Sequence, residues 1–142
     1  MRDAIVFDIA AELNTLLEAE RAGTRVALTM RKESATSSVA DFMARIEKDE
    51  AHWCAMLKRQ IESLGADAST ACGDFYDKVI AIEDTTERLR LLNRGQRWVV
   101  RRIEALLPRL NDQTLFDALG AMAEQHRVNI AATDDFMNSQ ES

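Results

Sequence analysis

The sequence is short of residues that break helices. One proline and five glycines occur in 142 residues, and β-branched runs are scarce, which leaves little punctuation for a fold of many short strands and favours long helices. Cysteine is sparse too. Cys54 and Cys72 make no disulfide framework, so a reducing, cytoplasmic setting is the default. Long apolar runs are missing. The opening "MRDAIVFDIAAELN" sets Asp3, Asp8 and Glu12 inside any would-be apolar region, so neither a signal peptide nor a membrane span is expected. Positive charge is in deficit: the formal net charge is −6, which argues against a nucleic-acid partner held by phosphate neutralisation. There is no GxxxxGK[ST] phosphate loop, and no Gly-flanked serine or activated cysteine to support hydrolytic catalysis.

What is present is an ordinary globular composition, 46% hydrophobic and 30% charged, which fits one domain spanning residues 1–142. Four amphipathic segments can be read, over about 7–30, 38–64, 86–107 and 112–137. Their apolar seams step by three and four. The first runs Leu13, Leu16, position 20, Gly23, Ala27, Met30, and the second Val39, Phe42, Ile46, position 49, Trp53, Met56. The third runs Leu89, Leu92, position 96, Val99, Ile103, Leu106, and the fourth Leu115, Leu119, Met122, position 126, Ile130, Thr133, Met137. Ser37 or Ser38 is expected to cap the second segment and Asp84, with Glu87 three residues on, the third. Gly65 is expected to close the second, Pro108 to end the third, Asn111 or Asp112 to cap the fourth, and "NSQES" to fray. "GADASTACGDF" is a long link, with a short helix over "FYDKVIAI" allowed within it. Short turns within pairs and one long link between them predict an all-α four-helix bundle of antiparallel helix pairs.

The four seam positions left unnamed are polar: Glu20, Asp49, Gln96 and His126. His52 lies one turn beyond Asp49, and residues three apart share a helix face. Asp49 and His52 are therefore expected to face inward, with Glu50 turned away. Ionised carboxylates buried in a bundle need a metal, a cation or one another. Carboxylate oxygen and imidazole nitrogen both suit iron, manganese and zinc.

These same residues carry a family resemblance. "LNTLLEAE", Leu13 to Glu20, resembles the first-helix signature of bacterioferritins and related ferritin-like proteins, which implies a metal carboxylate at Glu20. "DEAHWCAMLKRQIESLG" resembles their second helix, which implies that Asp49 and His52 stand on its Glu-x-x-His pair. Small bacterial ferritin-like proteins are the nearest likeness, and the resemblance extends weakly through the other two segments. It also marks departures. The fourth segment has Ala123 where a carboxylate belongs three residues before His126, and the third has Leu92 where another belongs. Two carboxylates of a di-iron centre are thus missing.

Two readings follow. In one, Glu20, Asp49, His52 and His126 hold a single Fe, Mn or Zn ion in an oxidoreductase or a peroxide- or iron-handling relative. In the other, the bundle is a non-catalytic binding or structural module with an unknown protein partner. There Arg94 or Arg97 and the histidines neutralise the former site, with Gln96 in the polar layer. Arg-carboxylate pairing and a solvated face also account for the arginine-rich third segment. Analogy with small bundles leads to the expectation of a homodimer.

Overall fold

A computed structural model describes residues 2–34 and 36–141, with side chains at 6, 8–34 and 36–140. Five α-helices and no strand occur among these residues: α1 (Arg2–Glu33), α2 (Ser37–Ser63), α3 (Phe75–Ile80), α4 (Thr85–Leu106) and α5 (Gln113–Glu141). The four amphipathic segments of the sequence are α1, α2, α4 and α5. None of the described helices is long and apolar enough to cross a membrane.

The helix ends follow local chemistry. Thr36, not Ser37 or Ser38, caps α2: its backbone is extended and its hydroxyl accepts from Val39 N at 3.4 Å. Gly65 closes the same helix with φ +79°, where the Gly65 and Ala66 amides bond back to Glu62 and Ile61 in a Schellman turn. Asp84 accepts from Glu87 N at 2.9 Å, and Asp112 from Leu115 N at 3.2 Å, so the expected caps of α4 and α5 form. Around Pro108 the chain tightens into a 3-10 turn, Leu107–Arg109, and α4 ends. Of the tail expected to fray, residues 138–141 continue α5, which runs to Glu141, and Ser142 lies outside the described residues; Ser139 Oγ donates to Phe136 O at 2.8 Å.

The chain divides into two compact units at residues 78 and 79. In the first, α1 and α2 form an antiparallel hairpin tied by Arg31–Glu47 at 2.8 Å and a Thr24–Cys54 contact at 3.8 Å. The link after Gly65 runs back along α1, held by a polar stripe that recurs every three or four residues. Asn14 donates to Asp67 O at 3.0 Å and accepts from Ser69 N at 2.7 Å, while Ser69 Oγ donates to Glu18 at 2.8 Å. Arg21 bonds to Ala71 O, Arg25 donates to Cys72 Sγ and covers the Tyr76 ring, and Thr29 bonds to Tyr76 at 2.9 Å.

In the second unit α4 and α5 form another antiparallel hairpin. Asn93 donates to Ile130 O and Asp134 Oδ1, Arg97 pairs with Asp134 at 3.3 Å, and Arg88 holds the carbonyls of Ile80 and Ile82. The two hairpins share part of a burial register. A shift of 73 positions carries the buried Leu16, Glu20, Val26, Ala27 and Met30 of α1 onto the buried Leu89, Asn93, Val99, Val100 and Ile103 of α4. The same shift carries Phe42, Ile46, Glu50, Trp53 and Met56 of α2 onto Leu115, Leu119, Ala123, His126 and Asn129 of α5, again all buried.

Asn14 satisfies two backbone groups of the link at once. Asn14→Ala is expected to cost about 1–2 kcal/mol in urea unfolding and to speed proteolytic cutting between residues 66 and 74, read by limited digestion and mass spectrometry.

Candidate functional site

The buried charged or titratable side chains among the described residues are Glu20, Glu50 and His126, at 1%, 3% and 1% exposure; no Lys or Arg belongs to that set. Glu20 sits mid-α1 between Leu16, Leu17 and Val26, and amphipathic spacing alone fixes its inward direction. Glu50 sits on α2 between Ile46 and Trp53. One carboxylate oxygen of Glu20 and one of Glu50 lie within 4.8 Å of each other. The first hairpin thus brings two acids to one buried place.

Gly23 makes the room. A Cβ built there would meet the Glu50 carboxyl at 3.3 Å, tighter than ordinary van der Waals contact. The Glu50 head therefore rests against bare α1 backbone, one turn from Glu20. Cys54 stands beside this place, half-buried. Burial pushes its thiol above the ordinary value, Thr24 opposes the shift through its hydrogen bond, and the Glu20 charge adds to it. A thiol so placed is a weak nucleophile.

In the second hairpin His126 is buried on α5, with Nδ1 2.9 Å from Met122 O. A carbonyl only accepts, so Nδ1 carries a proton here, and Nε2 is the ring nitrogen that could bind a metal. That tautomer, fixed by a backbone acceptor, is the one a metal-ligating histidine adopts. Gln96, Asn93 and Asn129 are also buried in this hairpin.

The sequence expectations divide accordingly. Glu20, Gln96 and His126 are buried as the seams predict. Asp49 and His52 do not face inward: His52 is exposed, its ring edge-on to Trp53 at 4.6 Å, and Asp49 is only half-buried. The inward acid is Glu50, which the seam had turned away. From Ile46 to Trp53 a helix seam steps either three then four or four then three, and the packing takes the second route. Gly23 was the available signal, a residue without a side chain on the same face as Glu20. Arg94 and Arg97 are exposed, and Arg97 pairs with Asp134, so both lie outside the buried polar set where the neutralised-site reading had them. Leu92 and Ala123 are buried apolar residues.

The fold has a solved counterpart. The chain is similar to a crystal structure described as "ferritin like, diiron-carboxylate proteins" from Bacillus anthracis str. Ames, at 19% identity and TM-score 0.85, over 94% of this chain and 97% of that one. The fold is thus a ferritin-like four-helix bundle with a long crossover between α2 and α4. A family model described as "Domain of unknown function (DUF6306)" matches residues 7–135. No curated protein matches the chain.

Gly23→Ala tests the notch beside Glu50. The added methyl relieves a helix-interior glycine but presses on the end of a flexible side chain. Urea unfolding of the metal-free protein is expected to show equal stability or a gain of up to about 1 kcal/mol, not a loss.

Proposed function

The chain belongs to the DUF6306 family, domains of unknown function, and we propose that it holds one divalent transition-metal ion in a buried Glu-Glu-His group formed by Glu20, Glu50 and His126. The observation that carries this reading is the pair of acids in the first hairpin, buried together within 4.8 Å. Desolvating even one carboxylate costs several kcal/mol, and a cation between two so close offsets that cost for both. A divalent ion cancels both charges at once.

The donor set fits such an ion. Carboxylate oxygen and neutral imidazole suit Fe(II), Mn(II) and Zn(II) alike, and His126 has the right tautomer. The notch at Gly23, which a Cβ would fill, keeps room for the Glu50 head. Two features favour one ion over two. Leu92 and Ala123 offer no charge, and the residue of α2 equivalent to His126 is Trp53, an indole with no metal-binding lone pair. Two acids balance one divalent ion and leave a second unmatched. When bound, an ion held by three protein donors has open positions at which it can polarise or exchange electrons with a small molecule. The residues of the chain hold the ion, fix the imidazole tautomer and keep bulk water away by burial.

The alternative, a non-catalytic module whose former site is neutralised by arginine, is weakened by the exposure of Arg94 and Arg97.

Elemental analysis of untagged protein grown with added iron, manganese and zinc is expected to give about one equivalent of a transition metal. Glu20→Ala, Glu50→Ala and His126→Ala each lose it, while His52→Ala keeps it. Wild-type protein with less than about a tenth of an equivalent under every condition refutes the reading. In the metal-loaded state, free ion at a hundred times its Kd is expected to stabilise the fold by about 2.7 kcal/mol, a rise in Tm that EDTA reverses.

A further inference from the structure

Gln96 Oε1, Gln96 Nε2 and Asn93 Oδ1 are buried polar atoms of the second hairpin without a hydrogen-bond partner among the described residues. Both side chains stand on α4, Gln96 at 3% and Asn93 at 1% exposure. Three residues apart and both buried, they share the inward face of one helix. The orientation of the Asn93 amide is fixed. Its Nδ2 donates to Ile130 O at 3.2 Å and to Asp134 Oδ1 at 2.9 Å, a carbonyl and a carboxylate that only accept. Its Oδ1 is therefore left needing a donor. Turning the Gln96 amide over changes nothing, since both of its ends are unmatched. Buried amides are ordinarily satisfied, by protein groups or by ordered water.

The needs of these three atoms select the ligand. Two oxygens require donors, and one N–H group requires an acceptor. A cation serves the oxygens but gives Gln96 Nε2 nothing to donate to, and a simple anion serves Nε2 alone. Water carries both functions, and a buried water makes about three hydrogen bonds to groups of this kind. A primary amide presents its C=O and one N–H side by side, so a single water can donate to the first and accept from the second. Small size on the facing helix favours the same answer. Gly23 and Glu50 meet in the first hairpin, and their counterparts 73 positions on are Gln96 and Ala123, an amide and a methyl group.

We propose that the second hairpin holds an internal water on α4, which donates to Gln96 Oε1 and Asn93 Oδ1 and accepts from Gln96 Nε2. The water joins Gln96 to the bonds that Asn93 makes with Ile130 and Asp134, so the inward face of α4 is tied to α5 through neutral groups. The site lies wholly within this hairpin and is independent of the metal reading.

The test is side-chain NMR of the full-length, metal-free protein labelled with nitrogen-15. A water held inside a fold and one passing over its surface give neighbouring amide protons cross-relaxation of opposite sign. The side-chain amide protons of Gln96 and Asn93 are expected to show the sign of a held water. Gln96→Met keeps the length of the side chain and removes both polar atoms. It is expected to lose the Asn93 signal and to lower the oxygen-17 relaxation dispersion of the solvent by about one long-lived water. Sodium, potassium and ammonium salts are expected to leave the Gln96 amide resonances in place. Gln96 protons with surface-type cross-relaxation, or with none to water, overturn the proposal, and this wild-type measurement decides even where the variant does not fold. A folded Gln96→Met protein with undiminished dispersion overturns it too. Gln96 resonances that move on titration with a monovalent cation put that cation in place of water and likewise overturn it.

Discussion

Two carboxylates, Glu20 and Glu50, share one buried place in the first hairpin, and the packing of α1 on α2 depends on that place being tolerated. The apolar residues that flank them, Leu16, Leu17, Val26, Ile46 and Trp53, stabilise the hairpin by leaving water. The acids work against that gain, since each must shed its hydration. Gly23 lets the Glu50 head lie against backbone instead of displacing a neighbour, so the hairpin stays closed around a group it would otherwise expel. A glycine in mid-helix is itself unfavourable. Its presence opposite an inward acid is therefore best understood as room kept for the carboxylate and whatever it holds.

The second hairpin solves the same packing problem with different chemistry. Part of its register repeats that of the first, and there Asn93 stands for Glu20, Ala123 for Glu50, and His126 for Trp53. Among the buried side chains, one half thus has two acids and no imidazole, and the other an imidazole and no acid. Asymmetry between repeats also accounts for the neutral polar groups. With the buried carboxylates confined to the first hairpin, the interior of the second carries Asn93 and Gln96, which add dipoles without charge.

Much of this was legible in the residues. Three-four spacing placed four long helices, and Asp84, Gly65, Asp112 and Pro108 marked their ends, because caps and helix stops act within a few residues of themselves. Glu20, Gln96 and His126 were found because each interrupts an apolar seam that has no alternative path nearby. The failures lie where the period is degenerate or the signal is not local. On α2 the two routes from Ile46 to Trp53 are equally helical, and only the partner helix decides between Asp49 and Glu50. "DEAH" looks like a carboxylate-histidine pair in either case. Asp49-x-x-His52 drew the eye because it has ligand spacing, yet spacing holds on the wet face of a helix as well as on the dry one.

The arginines of α4 show how burial sorts two readings that share a sequence. A guanidinium that neutralised the acids would have to enter the apolar interior with its planar head satisfied on every side. Arg94 and Arg97 instead remain in water, where an ion pair such as Arg97–Asp134 is worth little. The buried charge of the described residues is left to two carboxylates and one imidazole. All three must be unprotonated to hold a cation, so acid competes directly with metal for the same groups. Nucleophilic chemistry has no comparable footing. Cys54, the thiol nearest the acids, is held in its protonated form by burial and by the Glu20 charge. What the interior offers chemistry is therefore a buried Glu-Glu-His group of a kind that could hold a metal ion, not an activated thiol.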